Sequence, residues 1–265
     1  MKDVGWTRKV AKEWRKYKPP SRPSTTEVKI YDSYIRKLPK NSSVLVMGST
    51  PEIRDLAAKY KMNVAICDWS EDVNEALKLL MKNKSSHEAF FEQDWRVMKL
   101  GDSFDMVIGD CATTVVPYND LEIVLSNIAR HLKPDGIAVQ RIWVRYKDQK
   151  YTLSDVVRIF NKKPKNIHWY TWMLFPVFLH YYDKKKESLS GYDIYEKMAV
   201  DYKKGRVPKR VLDLFSLVKS HKTPNNVLLK GDLERLLKRY FRIVKIDYGK
   251  DNFKRNAPIY ILKRK

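Results

Sequence analysis

One glycine and three aspartates, spread over the first half of the chain, carry the chemistry most legible in this sequence. Gly48 follows the apolar run Val44-Leu45-Val46-Met47, and Asp68 follows Val64-Ala65-Ile66-Cys67. Asp94 lies just past Ala89-Phe90-Phe91, and Asp110 closes the run Phe104 to Ile108 after Gly109. A glycine at a strand end lets the backbone approach a ligand closely. An acid about 20 residues further on, at the end of the next strand, stands where a carboxylate meets the ribose hydroxyls of a bound nucleoside. Ser49 and Thr50 lead into Pro51-Glu52, which reads as a helix start whose N–H groups favour a carboxylate or phosphate. The loop is not G-x-G-x-x-G: it has no second glycine, and Pro51 removes an N–H group. That argues against NAD or FAD and is compatible with a nucleoside that has no phosphate. Asp110 is placed to orient an acceptor or take its proton.

Such residues act together only if a sheet holds the strand ends side by side. Thr50 reads as an N-cap, Pro51 as the first helical residue and Glu52 as the acid of the first turn. Ile53, Leu56, Ala57 and Tyr60 then form one helix face. Ser70 caps a second helix with Val73, Leu77 and Leu80 on its face, and Leu121, Val124, Leu125, Ile128 and Leu132 mark a third. Lys133-Pro134-Asp135-Gly136 breaks the chain before a fifth strand, Ile137 to Val144. Alternating strands and helices predict an α/β fold: a Rossmann-like, mostly parallel sheet with helices on both faces, whose ligands sit at the carboxyl ends of the strands. A helix through Leu233, Leu236, Leu237 and Tyr240, then strands Phe241 to Tyr248 and Pro258 to Leu262, complete seven strands with an antiparallel pair.

The remaining segments depart from this rhythm. Residues 1–40 form a basic lead-in, with Val10, Trp14 and Tyr17 spaced along one helix face. The breaker Pro19 to Ser24 follows, then a helical run through Val28, Tyr31, Ile35 and Leu38. Residues 146–230 hold a helical run (Leu153, Val156, Val157, Phe160), the aromatic stretch Ile167 to Tyr182 and Lys-rich loops. They read as a helical insertion after the fifth strand and a lid over an acceptor site. The expected division is thus a lead-in over 1–40, a core over 41–145, the insertion over 146–230 and a core-completing segment over 231–265. The aromatic stretch reads either as the insertion's own core or as an acceptor pocket.

The 265 residues are 43% hydrophobic and 12% aromatic, enough for a packed core. Fifty-three Lys+Arg against 31 Asp+Glu leave a net charge of +22. That balance favours anionic partners such as RNA or DNA. Clusters at Arg8-Lys9, Arg15-Lys16, Lys184-Lys185-Lys186, Lys203-Lys204, Lys209-Arg210 and Arg255 supply it. Cys67 and Cys111 stand in apolar runs, and no Cys/His grouping has metal-ligand spacing, so neither a zinc module, a metal site nor a disulfide scaffold is expected. Met1 to Trp6 lacks the apolar core of a signal peptide. Ile167 to Tyr182, interrupted by His168, Thr171, Pro176 and His180, is too short to span a bilayer. A cytoplasmic setting is expected.

In this order these residues resemble the class I S-adenosylmethionine-dependent methyltransferases, over about residues 43–145 and again over 231–265. Val44 to Thr50 stands at that family's first, glycine-containing motif, and Phe104 to Asp110 at its fourth strand. Leu132-Lys133-Pro134-Asp135-Gly136 matches the turn before its fifth, with Asp135 replacing a glycine. A poorly characterised branch is closer still, sharing Gly48-Ser49-Thr50-Pro51-Glu52-Ile53-Arg54-Asp55-Leu56-Ala57 and the Pro-Pro-x-Arg-Pro-Ser stretch Pro19 to Ser24. The resemblance implies S-adenosyl-L-methionine as cofactor, held by Gly48, Ser49, Thr50, Asp68, Trp69, Asp94, Trp95 and Asp110. Asp68 would bind the ribose, Trp69 and Trp95 the adenine ring, and Asp94 its amino group. Arg22 is a candidate clamp for the methionine carboxylate.

Methyl transfer is an in-line displacement that needs mainly positioning and a deprotonated or neutral acceptor, so Asp110 is an optional base. Cys111 lacks the Pro-Cys setting of a cytosine-methylating nucleophile, and reads as a small buried cysteine. Gly109-Asp110-Cys111-Ala112 stands where base amino-group methylation uses Asn/Asp-Pro-Pro-Tyr. The expected function is methyl transfer to an unidentified acceptor, with RNA or another polyanion favoured by charge. A small molecule is favoured by the aromatic insertion. A non-catalytic nucleic-acid-binding protein on the same scaffold is the reading from another class.

Overall fold

The structure, a computed structural model, describes residues 13–83 and 88–265. Val10 and the Arg8-Lys9 cluster lie outside the described residues. The apolar runs become strands β1 (Ser43–Met47), β2 (Asn63–Asp68), β3 (Glu88–Glu92), β4 (Phe104–Asp110) and β5 (Leu132–Arg141). They alternate with helices α2 (Pro51–Lys59), α3 (Glu71–Lys78) and α4 (Leu121–Arg130), after an opening helix α1 (Thr25–Ile35). Past the insertion come α9 (Lys230–Tyr240), β6 (Phe241–Asp247) and β7 (Ile259–Arg264). The seven strands lie in the order β6-β7-β5-β4-β1-β2-β3. β1 to β5 pair in parallel, and β7 runs antiparallel between β5 and β6. Order reverses between β1 and β4, so the ends of these two strands flank the crevice where such sheets bind ligands.

Period-two alternation assigns the faces. Leu45 and Met47 point into one core with α4 and α9, and Val44 and Val46 into the other with α1 and α2. Each fully buried side chain of this size contributes about 1.5–3 kcal/mol. The polar residues of the α2 motif are spent on tying neighbours together. Arg54, wholly buried, donates to Glu88 of β3 through Nε and Nη2 and to the Asn74 carbonyl. Asp55 accepts the backbone N–H groups of Lys82 and Asn83. Glu52 accepts from Trp14 and Arg22 of the lead-in.

A second core belongs to the insertion. α5 (Leu153–Asn161), α6 (Trp169–Tyr181), α7 (Gly191–Lys203) and α8 (Lys209–Leu214) bury Val156, Phe160, Met173, Phe175, Met198 and Phe215 together. Parallel pairing of Val144–Arg145 with Leu228–Leu229 brings the entry and exit of this segment side by side. Antiparallel pairing of Leu189–Ser190 with Pro224–Asn225 lays the returning chain over the strand ends.

Several local expectations are corrected. Trp14 and Tyr17 share only a 3-10 turn, Trp14–Lys16, because Pro19-Pro20 follows within three residues. Thr50 holds the N-cap position of α2, yet its side chain makes no capping bond. Lys133 to Gly136 do not break the chain before the strand. They bulge within β5, opposite Asp105 alone. β5 ends at Arg141, short of Val144.

The ends of β4 and β5 are locked by charge. Register sets Asp110 beside Arg141. The Arg141 guanidinium donates Nε to Asp110 Oδ1 (2.5 Å) and Nη2 to Oδ2 (3.0 Å). Its Nη1 reaches Glu27 of α1 at 3.0 Å, and Nη2 the Pro20 carbonyl at 2.9 Å. Tyr31 adds its hydroxyl to Asp110 at 2.9 Å. Burial pushes the Glu27 carboxyl up, and Arg141 opposes that shift.

Breaking a buried ion pair from one side strands the other charges. Arg141→Met should therefore lower unfolding free energy by about 3–5 kcal/mol in urea denaturation. A loss below about 1 kcal/mol, the range of an exposed pair, would show that the site is hydrated. Gly48 adopts φ +82°, a region an L side chain enters at a cost of about 1–2 kcal/mol. An added Cβ would meet nothing nearer than Trp95 at 3.8 Å, so strain rather than clash sets the cost. Gly48→Ala should lower the melting temperature accordingly, and an unchanged thermal scan would contradict that backbone conformation.

Candidate functional site

The crevice is built from the strand ends outward. At β1, the Gly48 N–H donates to the Cys67 carbonyl (2.9 Å), which turns the chain sharply into α2. Ser49 Oγ donates to Asp68 Oδ2 (2.8 Å), and the Trp69 N–H to Oδ1 (2.8 Å). Each carboxylate oxygen keeps acceptor capacity beyond these bonds. Burial dominates the electrostatics of Asp68 and raises its pKa to about 6, despite the two hydrogen bonds. Trp69 stands 43% exposed on the rim.

At the end of β3, both Asp94 oxygens accept from Arg96, whose Nη1 also reaches Asp120 (2.9 Å). That pairing holds the Asp94 carboxyl below the usual carboxylate range. Trp95 donates Nε1 to the Cys67 carbonyl (2.7 Å), and Asn127 fixes the Trp95 carbonyl (2.7 Å). Trp95 is thereby held against Gly48 as a floor of the crevice.

Two expected roles meet residues already engaged. Arg22 pairs with Glu52 and lies over the Trp14 ring at 5.7 Å. It is not among the residues lining the crevice. Asp110 does line it, and its oxygens accept from Tyr31 and Arg141, so the expected base is paired with a buried cation. Cys111, half-buried with φ +57°, follows Asp110, and burial raises its thiol pKa far above the usual value.

The crevice opens into a single cavity of about 390 Å³. Gly48, Ser49, Thr50, Asp68, Trp69, Asp94 and Trp95 line one part of it. Tyr170, Leu174 and Phe178 of α6 line another, joined by Trp143 from the end of the sheet. Trp14, Tyr17 and Ser21 of the lead-in contribute as well, and Ser21 Oγ is 2.9 Å from the Tyr170 hydroxyl. Arg96 is the one Lys or Arg among the described lining residues. The basic clusters at Arg15-Lys16, 184–186, 203–204, 209–210 and Arg255 lie elsewhere on the chain.

Sequence reasoning missed the returning loop. His221 and Thr223 reach the cavity because Asn226 is pinned beneath it: its N–H donates to the Thr114 carbonyl (2.8 Å), and its side chain to Thr113 (2.8 Å) and Val116 (2.6 Å). Tyr17 Oη and His221 Nε2 are 2.9 Å apart. Burial lowers the His221 pKa, so the ring is neutral at pH 7. A His three places beyond the short 3-10 turn Ser216–Val218, in a loop without period, gives no sequence signal of this kind.

Comparison with known proteins agrees with the fold. The family model described as a methyltransferase domain matches residues 45–136. No curated protein matches the chain. A Rhodobacter sphaeroides protein described as a Zn-dependent alcohol dehydrogenase superposes with TM-score 0.63 at 14% identity, covering 96% of this chain and 95% of its own. A TehB-like S-adenosylmethionine-dependent methyltransferase from Corynebacterium glutamicum gives 0.52 at 12% identity, covering 97% of each chain. The N-methyltransferase NodS of Bradyrhizobium japonicum, in complex with S-adenosyl-L-homocysteine, gives 0.50 at 10%, covering 95% of this chain and 91% of its own. At such identities the superpositions speak for the fold alone, and the family model speaks for the segment it matches. The chain thus carries a methyltransferase-domain match over residues 45–136, within the seven-stranded Rossmann-like fold of S-adenosylmethionine-dependent methyltransferases.

Proposed function

We propose that this enzyme methylates a small, largely apolar molecule enclosed beneath the helical insertion, in preference to RNA or another polyanion. One observation carries the reading: a cavity runs from Gly48 and Asp68 to the aromatic residues of α6, and its described lining offers one Lys or Arg, paired with two carboxylates. A polyanion needs an open cationic surface at the reacting atoms. A small apolar acceptor needs concavity, aromatic walls and few polar groups.

The residues at the strand ends fit the cofactor. Asp68 is a buried carboxylate with acceptor capacity left for ribose hydroxyls, and among the described residues no Lys or Arg side chain bonds to it. Gly48, Ser49 and Thr50 present the backbone turn for the amino-acid end, and Trp69 and Trp95 the flat surfaces for the base. Asp94 serves through its pair with Arg96 as a rim of fixed polarity. Arg22 acts through Glu52, holding Trp14 over the crevice, in place of clamping a carboxylate directly. Asp110 positions Arg141, and through it the lead-in. When bound, the cofactor supplies an electrophilic methyl group on a sulfonium sulfur. The chain's own contribution is to exclude water, align the acceptor and leave the site low in charge.

Calorimetric titration with S-adenosylmethionine and S-adenosylhomocysteine tests this assignment. Micromolar binding is expected, and Asp68→Ala should weaken it at least about tenfold, the worth of a lost charge-assisted hydrogen bond. Hydroxyl donors prefer the ionised carboxylate, so affinity should fall as pH drops through about 6, where Asp68 takes up its proton. Binding that ignores both the substitution and pH would remove Asp68 from the site. With cofactor binding secured, methyl transfer to RNA but to no small molecule would overturn the acceptor reading.

A further inference from the structure

The far end of the cavity carries polar groups that neither the cofactor nor the fold uses. Trp143 is buried (6% exposed) and lines the cavity, yet its indole Nε1 has no hydrogen-bond partner among the described residues. Thr223, another lining residue, likewise holds its Oγ1 buried with no partner among the described residues. Leaving such donors unsatisfied costs about 1–3 kcal/mol each. A ligand oxygen received there would recover that cost. Beside them, the Tyr17 and His221 rings stack with centroids 5.6 Å apart, and their polar atoms lie within hydrogen-bond distance. Among the described residues, Glu13 is the carboxylate whose charge bears on both. Tyr170 faces Tyr17 from α6.

Resting on the small-molecule reading above, we propose that the acceptor is an aromatic hydroxyl compound, that the Tyr17–His221 pair removes its proton, and that Trp143 receives a second oxygen of the same molecule. With Tyr17 donating, Nε2 is the unprotonated nitrogen of a neutral imidazole. The acceptor's O–H bond breaks and its proton passes to Tyr17 Oη, while the tyrosine's own proton passes to His221 Nε2. The electron pair left on the acceptor oxygen forms the new O–CH₃ bond, and the S–CH₃ bond breaks with its pair remaining on sulfur. The imidazolium then releases its proton to solvent, restoring the neutral pair. Asp110 is excluded from this task by its bonds to Arg141 and Tyr31. Aromatic walls from Trp143, Tyr170 and Phe178 match a flat ring.

The probe is 4-nitrophenol, whose phenolate has its own visible absorption band. In the wild-type protein saturated with S-adenosylhomocysteine, bound 4-nitrophenol should show that band at a pH where free probe is largely protonated. His221→Gln keeps an acceptor for the Tyr17 hydroxyl but cannot take a proton. It and Tyr17→Phe should lose the band and lower methyl transfer to the probe by about 100-fold, the usual worth of a positioned base. Trp143→Phe should weaken probe binding about tenfold. S-adenosylhomocysteine titration of each variant reports that fold and cofactor site are intact. Phenolate formed equally in His221→Gln and wild type would overturn the proton pair, and unchanged probe affinity in Trp143→Phe would overturn its part. Wild type that binds S-adenosylhomocysteine but methylates benzylamine and not 4-nitrophenol would overturn the hydroxyl acceptor alone. Failure to bind S-adenosylhomocysteine would instead sink the underlying function and the inference with it.

Discussion

The buried guanidinium of Arg141 is the constraint on which the rest of the site depends. It stands at the carboxyl end of β5, where ligands of a parallel sheet gather, and is wholly removed from solvent. A charge there persists only with partners on every donor. Asp110 supplies them from the neighbouring strand, Glu27 from α1 and the Pro20 carbonyl from the lead-in. The capping box of α1, in which Ser24 and Glu27 bond reciprocally, holds Glu27 in position for this pairing. The lead-in is thus drawn across the strand ends, and Trp14, Tyr17 and Ser21 become walls of the cavity rather than an appendage.

That arrangement also explains the division of labour among the acids. Asp68, which bonds to no Lys or Arg among the described residues, retains the acceptor capacity and the raised pKa of a buried carboxylate. Asp94 and Asp110 are each saturated by an arginine. A carboxylate so paired is a poor base, because taking a proton would forfeit its ion pair. In the proposed reading, proton chemistry at the acceptor end passes instead to the Tyr17–His221 pair.

The strands and their ends were legible in the sequence because burial on two faces writes a continuous apolar run, as in Val44 to Met47 and Val64 to Cys67. Helix faces were legible from their spacing, as in Ile53, Leu56 and Ala57. Pairings between distant residues were not. Arg141 and Glu27 lie 114 positions apart, Tyr17 and His221 lie 204 apart, and neither pair belongs to any period. Arg54 and Glu52 could be read as parts of a motif, but not as the struts to β3 and the lead-in that the fold makes of them. The net charge of +22 names no surface for the same reason: composition counts lysines without saying where they face. Lys163 and Arg210 lie over the ring of Trp169, and Arg255 over Tyr146, all apart from the cavity.

The central claim is that cofactor and acceptor share one enclosed cavity, with the transferable methyl facing the insertion. A crystal structure of the protein with S-adenosylhomocysteine tests it most directly. The account predicts the ribose on Asp68, the adenine beside Trp69 and Trp95, and the sulfur facing the space walled by Tyr17, Trp143 and His221. A sulfur turned toward open solvent and the basic surface, with that space sealed from it, would contradict the account.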